Sequence, residues 1–398
     1  MTSTSTSSAA RPDSRTGWLT VACAFVTMAV AFGVVYNYGS LVEQMRQSLD
    51  MDASAAGWVF SVAGFAFLSL GSVTGGISDR YGPRPLMAAS ALLVAAGLVY
   101  ASVASDAVDA VIGYTAIGIG VGCVYVPSVA NVGRWFERQR ARAIGIAVTG
   151  IGLGTVLSPI LTAVLVDHLG WRQTDRVFAV VALVVLLVCA YLTPRAPRGA
   201  SAVSAWPVRR LAQDRVFQVL YVSGFLSGLA LFVPIVFLSP MAQHIGISPA
   251  RAAALVGAIG IASTGSRILF GLIADRVGVL FAYKATTVTM WLGFLIWLPA
   301  RSFGSLLVVA LVFGAGYGGI IALGPALLGT YFGVEGLGAA SGTMQTGPSV
   351  GALLGPPLAG LLAGAGDRYG LAVAAAFVLA TLGTIGPLFL RNPDAVSI

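Results

Sequence analysis

The sequence contains very little charge for its length. Only 10% of its 398 residues are Asp, Glu, Lys or Arg, 57% are hydrophobic, and the mean hydropathy is +0.88. Soluble globular domains carry about 25% charged residues, so this composition excludes a soluble protein. The basic residues do not form a face interleaved with aromatics, and we therefore expect no nucleic-acid partner.

Residues that build metal and redox sites are equally scarce. The three cysteines fall inside apolar windows at no metal-ligand spacing, which argues against a disulfide framework and a zinc site. The two histidines, His168 and His244, lie in predicted loops, and neither shares a span with an acid. Because no catalytic constellation is visible, we expect neither an enzyme nor a bound cofactor.

Acidic residues are missing from the middle of the long apolar segments. All fifteen Asp and Glu residues fall in predicted loops or at the ends of these segments. Exporters of cationic drugs usually need a membrane-embedded acid, so this absence argues against such a role.

Long apolar windows recur along the whole chain. A transmembrane helix needs roughly 20 apolar residues, whereas a barrel strand needs about ten in alternation. We therefore predict an all-α membrane protein with twelve transmembrane helices. The predicted spans are residues 18–40, 54–76, 86–104, 109–133, 143–166, 177–193, 217–241, 252–273, 281–299, 305–329, 339–363 and 371–390.

The distribution of basic residues predicts the orientation in the membrane. Most of the 23 Lys and Arg residues fall in the connections on the side of the N-terminus, as the positive-inside rule requires of a cytoplasmic face. We expect a multi-pass protein of the inner (plasma) membrane with both termini cytoplasmic. Residues 1–17 lack an apolar core and are interpreted as a disordered cytoplasmic tail, not a cleaved signal peptide.

An internal repeat divides the chain into two halves. The segment "GGISDRYGPR" (75–84) recurs as "GLIADRVG" (271–278), and a second set of Gly and Pro positions recurs at a near-constant offset. We predict an N-terminal six-helix bundle at 18–193, a cytoplasmic linker at 194–215, a C-terminal six-helix bundle at 216–391 and a tail at 392–398. Parallel repeats of this kind place a substrate site near the midplane.

Glycines recur at four-residue spacing in the predicted fifth and eleventh spans, as Gly150 and Gly154 and as Gly347, Gly351 and Gly355. This spacing puts them on one helix face, where backbones approach closely. Two interpretations remain open at this point: an interface that slides during rocking of the halves, and static helix packing.

Two segments resemble known transporters. "GGISDRYGPR" resembles the loop signature between the second and third helices of the major facilitator superfamily. "WFERQRARAIGIAVTG" (135–150) resembles the fifth-helix signature of the monocarboxylate porters, with departures at Gln139, Arg142 and Thr149. The acidic, glycine-rich first-helix signature of those porters is missing, so the resemblance is to a distant relative in the neighbourhood of monocarboxylate and oxalate–formate transporters. It implies a major facilitator fold and alternating access.

The repeated loops supply candidate gating residues. Each acid lies at the end of a span next to a basic residue, where it can meet other basic groups or the N-terminus of a neighbouring helix. We expect these loops to control the conformational change. The candidates are Asp79, Arg80, Arg84, Asp275 and Arg276.

Arg267 lies in the middle of the eighth predicted span, and no acid is present at its depth. A central Arg costs roughly 2.5–3.5 kcal/mol on insertion scales. Its compensation must come from backbone carbonyls, water or a bound anion. Two hypotheses follow: the side chain extends to the cytoplasmic interface towards Asp275, or it is a bidentate clamp for a substrate carboxylate.

The family resemblance favours the clamp. Monocarboxylate porters carry an Arg in this helix four residues before a Gly, which here is Gly271. They commonly carry an Asp four residues before the Arg, where this chain has Ser263, so the resemblance leaves the proton-coupling step open. Polar residues in other spans complete the candidate substrate site, and Tyr36, Tyr125 and Tyr317 lie in spans that line the cavity of related transporters. The full set is Arg267, Tyr36, Asn37, Tyr125, Ser263, Tyr317 and Gln345.

These observations predict a secondary active transporter of small organic monoanions, such as lactate or pyruvate, that is proton-linked or works by anion exchange. One fixed cation favours one carboxylate on the substrate. The alternative is a multidrug or metabolite exporter of the same fold. The expected partners are the anion, protons and the lipid bilayer, and we expect the protein to function as a monomer.

Overall fold

The structure is a computed structural model, and it describes residues 14–51, 53–196, 208–333, 337–363 and 369–392. All the regular secondary structure in these ranges is helical. The first 13 residues of the predicted tail, much of the predicted linker and residues 393–398 lie outside the described residues. The helices are α1 (Arg15–Ser48), α2 (Ala53–Ser69), α3 (Gly71–Tyr81), α4 (Arg84–Ser102), α5 (Ala107–Gly122), α6 (Tyr125–Trp135), α7 (Arg140–Leu192), α8 (Val208–Gln213), α9 (Arg215–His244), α10 (Pro249–Val277), α11 (Val279–Trp297), α12 (Phe303–Phe332), α13 (Leu337–Ala363) and α14 (Tyr369–Leu388).

Four of the predicted spans in the first half are interrupted or joined. α2 and α3 meet at a bend of 40°, and α5 and α6 are separated by a short break at Cys123. α7 contains both the fifth and the sixth predicted spans, and it breaks at Gly170, whose φ of 72° a residue with a side chain adopts only at a cost. Ten helical segments in the described ranges are long and apolar enough to cross a membrane, with α7 counted as two segments and α5 with α6 as one. The number is eleven if α2 and α3 form one span. α13 takes the place of the remaining predicted span, and the all-α prediction is confirmed.

The regularly spaced glycines pack helices within each half. A Cβ at Gly150 or Gly154 of α7 would overlap main-chain atoms of α1 at Phe25 and Ala29. In the second half, a Cβ at Gly351 would lie 2.5 Å from the carbonyl oxygen of Phe225 on α9. These glycines therefore support static packing, and the interpretation of this series as a sliding interface between the halves is wrong.

Other glycines form the interface between the halves. α3 packs on α13, where Gly71 and Gly75 face Gly342 and Gly338 so closely that a Cβ at Gly75 would overlap the Gly338 carbonyl. α7 packs on α10 in the same manner, and a Cβ at Gly145 would lie 2.5 Å from the carbonyl oxygen of Arg267. Both contacts join the halves through glycine-mediated backbone approach.

The α3–α13 contact lies at the end of the bundle from which the chain leaves α7 towards the linker. We call this end the linker face. Arg84, at the start of α4, donates from Nε to the carbonyl of Thr193, 2.7 Å away. The Asn131 side chain, near the end of α6, bonds the backbone of Pro194 and Ala196. The halves are in contact at this face.

Candidate functional site

A cavity of about 200 Å³ lies between the two halves, walled by helices from both of them. Five of the seven residues predicted for the substrate site line its wall. These are Arg267, Tyr36, Tyr125, Tyr317 and Gln345. Helices α1, α6, α10, α12 and α13 each supply one of the five, so their proximity depends on the packing of the halves.

Arg267 is held inside the protein, with 4% of its surface exposed. Its Nη1 donates to the carbonyl oxygen of Val148 on α7, 2.5 Å away, and its Nη2 donates to Ser263 Oγ at 3.4 Å. Its Nε has no hydrogen-bond partner within the described part of the chain. The side chain therefore points into the protein, and the alternative in which it extends to a membrane interface does not fit.

The described lining residues include one charged side chain, that of Arg267. A backbone carbonyl and a hydroxyl compensate its charge only partly, because an ionised group in a low-dielectric interior needs paired or hydrogen-bonded partners on all sides. Arg267 lies on the cavity wall and its enclosed Nε has no partner among the described residues, so an anion in the cavity would complete the compensation of this charge.

Three tyrosines lie near the guanidinium. Tyr317, Tyr125 and Tyr36 all lie near enough to interact electrostatically with Arg267. The Tyr125 hydroxyl donates to the carbonyl of Ile321 at 3.3 Å, which links α6 of the first half to α12 of the second. Phenolic hydroxyls can donate hydrogen bonds to an anion, so the arrangement provides one cation and several neutral donors.

Two predicted site residues are not on the cavity wall. Asn37 is buried and its side-chain oxygen accepts a hydrogen bond from Thr162 of α7, so it joins two helices of one half. Ser263 lies behind Arg267, and its hydroxyl contacts the guanidinium. Asn37 directly follows Tyr36, and successive helix residues differ by about 100° in direction, which explains why only one of the two faces the cavity.

Asp175 is a buried acid that the sequence did not reveal. The helix restarts directly after Gly170, so Asp175 lies near the start of this helical segment, at the end of a span as expected. The side chain is 0% exposed, and neither carboxyl oxygen has a hydrogen-bond partner among the described residues. It is not part of the cavity wall. The early restart at a glycine was the one sequence signal that could have revealed it.

Asp79, one of the predicted gating residues, lies at the linker face of the first half. Asp79 pairs with Arg134 Nη2 at 2.9 Å, and it accepts hydrogen bonds from the backbone N–H groups of Gly338 (3.2 Å) and Ala339 (2.9 Å). The last two belong to the first turn of α13, where backbone donors and the helix dipole favour an anion. Asp79 thus closes the contact between the halves.

The other gating candidates have different surroundings. The carbonyl of Arg80 accepts a hydrogen bond from Arg195 Nη2 at 3.0 Å. The guanidinium of Arg80 lies over the Tyr81 ring, 5.4 Å from its centroid. Arg84 binds the end of α7, as described above. In the second half, Asp275 and Arg276 are exposed. The two copies of the repeated loop are therefore unequal in this structure.

Comparison with known proteins places this geometry in context. A model of the Major Facilitator Superfamily matches residues 23–218 and 220–397. An "MFS-type transporter" of Gibberella moniliformis is 33% identical over 362 residues, which cover 88% of this chain and 84% of the relative. The Homo sapiens protein "Monocarboxylate transporter 11" is 28% identical over 366 residues, covering 88% and 78%. The crystal structure of the E. coli fucose:proton symporter superimposes with a TM-score of 0.75 at 14% identity, covering 94% and 99%.

Proposed function

Because the chain belongs to the Major Facilitator Superfamily, we propose that it is a secondary transporter of small organic monoanions, and specifically of monocarboxylates. The observation that carries this proposal is the position of Arg267, a buried cation on the wall of a cavity between the halves. Its Nε has no hydrogen-bond partner among the described residues. The human relative named a monocarboxylate transporter adds support. Transport needs no catalytic step.

The substrate carboxylate would complete the coordination of Arg267. A guanidinium offers parallel N–H donors that match the two oxygens of a carboxylate. The hydroxyls of Tyr36 and Tyr317 lie nearby and add neutral donors on either half of the molecule. Since the described wall holds one cation, a second carboxylate on the substrate would be buried without a partner, which is costly.

Alternating access fits the contacts between the halves. We propose that the Asp79 contact with α13 and the glycine contacts of α3 and α7 hold the linker face closed while the cavity is loaded. Opening at this face would then require Asp79 to leave the N-terminus of α13, whereas its ion pair with Arg134 lies within the first half and can persist. Exchange of anions and coupling to protons both remain compatible with this cycle.

We further propose that the linker face is cytoplasmic and that the membrane is the inner (plasma) membrane. Basic residues are concentrated on this side of the predicted topology. The carrier would act as a monomer, because the cavity is built from the two halves of one chain.

The test is uptake into proteoliposomes. Purified protein is reconstituted, and accumulation is measured with and without a pH gradient. The labelled compounds are lactate, pyruvate, acetate, butanoate and oxalate, together with neutral and cationic analogues and a cationic drug. We expect saturable uptake of monocarboxylates that exceeds uptake of oxalate and of neutral or cationic analogues. Equal uptake of a cationic drug, with no response to any carboxylate, would show an exporter of another class.

A further inference from the structure

Arg267 is the charged group of the described cavity wall, and three tyrosines lie near it. The wall also holds a few uncharged polar residues, which are Ser223, Ser227, Tyr283, Thr287, Ser341 and Gln345. Most of the remaining wall is apolar and comes from both halves. Its principal members are Phe32, Phe67, Ile151, Phe232, Met290 and Met344.

The hydroxyls elsewhere on the wall are mostly engaged by the protein itself. Ser223 donates to the carbonyl of Gly383, and Thr287 donates to the carbonyl of Lys284 at 2.8 Å. Ser341 Oγ has no partner among the residues described, and Gln345 lies one turn further along α13. The wall beyond Arg267 therefore holds few polar side chains and offers a ligand mainly apolar contacts.

We propose that the substrates are monocarboxylates with an extended apolar body, such as medium-chain alkanoic acids or arylalkanoic acids. This inference rests on the proposed function. A two- or three-carbon acid would occupy the neighbourhood of Arg267 and leave the aromatic and aliphatic wall in contact with water. An apolar body displaces that water, and the gain grows with the apolar area buried.

The cavity has room for such a body. Its volume of about 200 Å³ is many times the roughly 10–15 Å³ that a cavity needs to hold one water molecule. Gly324 of α12 lies on the wall, and a Cβ built there would meet no heavy atom within 4 Å. A larger residue at this position would therefore fill the cavity without displacing the backbone of a neighbouring helix.

The experiment is a chain-length series measured by titration calorimetry on the purified full-length carrier. The ligands are acetate, butanoate, hexanoate and octanoate, with hexanol and hexanamide as uncharged partners. We expect each added methylene to tighten binding by roughly three- to four-fold, the equivalent of about 0.8 kcal/mol, until the chain fills the cavity. Hexanol, hexanamide and the Arg267→Gln variant should show no binding.

The variant Gly324→Leu tests the location of the apolar body. It should weaken octanoate binding at least tenfold and leave acetate within a few-fold of wild type. Gly257→Leu is the matched control, because a Cβ at Gly257 would also meet no heavy atom within 4 Å and this glycine is not on the cavity wall. It should leave the whole series unchanged.

The outcomes separate the two proposals. If acetate binds wild type as tightly as octanoate and Arg267→Gln abolishes both, the transport proposal stands and the apolar-body proposal is wrong. If hexanol binds as well as hexanoate, or if Arg267→Gln keeps the series, the carboxylate clamp is wrong as well. The wild-type series decides the matter even where Gly324→Leu does not fold.

Discussion

Arg267 donates a hydrogen bond from Nη1 to the carbonyl oxygen of Val148 at 2.5 Å, across the interface between the two halves. One turn before Val148, Gly145 brings the backbone of α7 close to the carbonyl of the same arginine. The charge in the cavity and the α7–α10 contact therefore share one residue. A ligand that draws the guanidinium towards itself acts directly on the packing of the halves.

The first prediction concerns the guanidinium. Arg267→Lys keeps the charge and loses the bidentate fork, so uptake efficiency should fall roughly ten- to hundred-fold, as expected for loss of one hydrogen bond to a charged group. Arg267→Gln should abolish anion binding. Its thermal midpoint without substrate should equal or exceed that of wild type, because a buried and incompletely paired charge is removed.

Substrate-induced thermal shift provides the independent measurement for this position. A ligand that binds only the folded state raises the midpoint by mass action. Wild type should shift with monocarboxylates and Arg267→Gln should not. A full shift in the Gln variant would place the anion elsewhere in the molecule.

The second prediction concerns Asp79. Asp79→Asn keeps the side-chain volume but removes the charge that pairs with Arg134 and the N-terminus of α13. Transport should slow roughly three- to thirty-fold, which corresponds to the upper range for a partly buried charge at a helix terminus. Equilibrium binding should stay within a few-fold. Asp275→Asn, at the exposed repeat position, should slow transport less, and collapse of binding with an unaltered turnover rate would contradict the gating role.

The third prediction compares two adjacent glycines. A Cβ at Gly75 would overlap the Gly338 carbonyl, whereas a Cβ at Gly76 would meet no heavy atom within 4 Å. Gly75→Val should therefore hold the halves apart at the linker face and reduce uptake more than tenfold, and Gly76→Val should remain close to wild type.

Cysteine labelling reports the reason for that loss. With Ala339→Cys as background, a maleimide applied from the linker side should react faster in the Gly75→Val protein than in the Gly76→Val protein. Equal labelling rates, together with equal uptake, would mean that the α3–α13 contact does not limit the transport cycle.

The fourth prediction concerns Ser263, whose Oγ lies 3.4 Å from Arg267 Nη2. The carboxylate introduced by Ser263→Asp should pair with Arg267 and compete with the substrate at neutral pH. Lowering the pH protonates this carboxylate and releases the guanidinium, so the uptake optimum should move to lower pH. Ser263→Asn cannot ionise and should keep the wild-type pH profile, and a folded, active Ser263→Asp protein with an unaltered profile would exclude this position as a proton site.

Much of the fold could be read from local patterns in the sequence. Apolar windows near the length of a bilayer span are a strong signal, because every backbone polar group in the membrane must be satisfied within a helix. The repeated "DR" loops indicated two halves. Arg267 was recognisable for the same reason, since a charge in the middle of an apolar span is costly whichever residues surround it.

The tertiary structure alone decided which polar groups meet. Tyr36 faces the cavity while Asn37 turns towards Thr162, and Asp175 is buried although its sequence neighbourhood resembles a loop. The partners of each glycine, and the Val148 carbonyl that receives Arg267, also depend on how the helices are rotated against one another. Hydropathy is a property of each segment alone, whereas these contacts arise from residues far apart in the chain, and a rotation of one residue changes the face of a helix by about 100°.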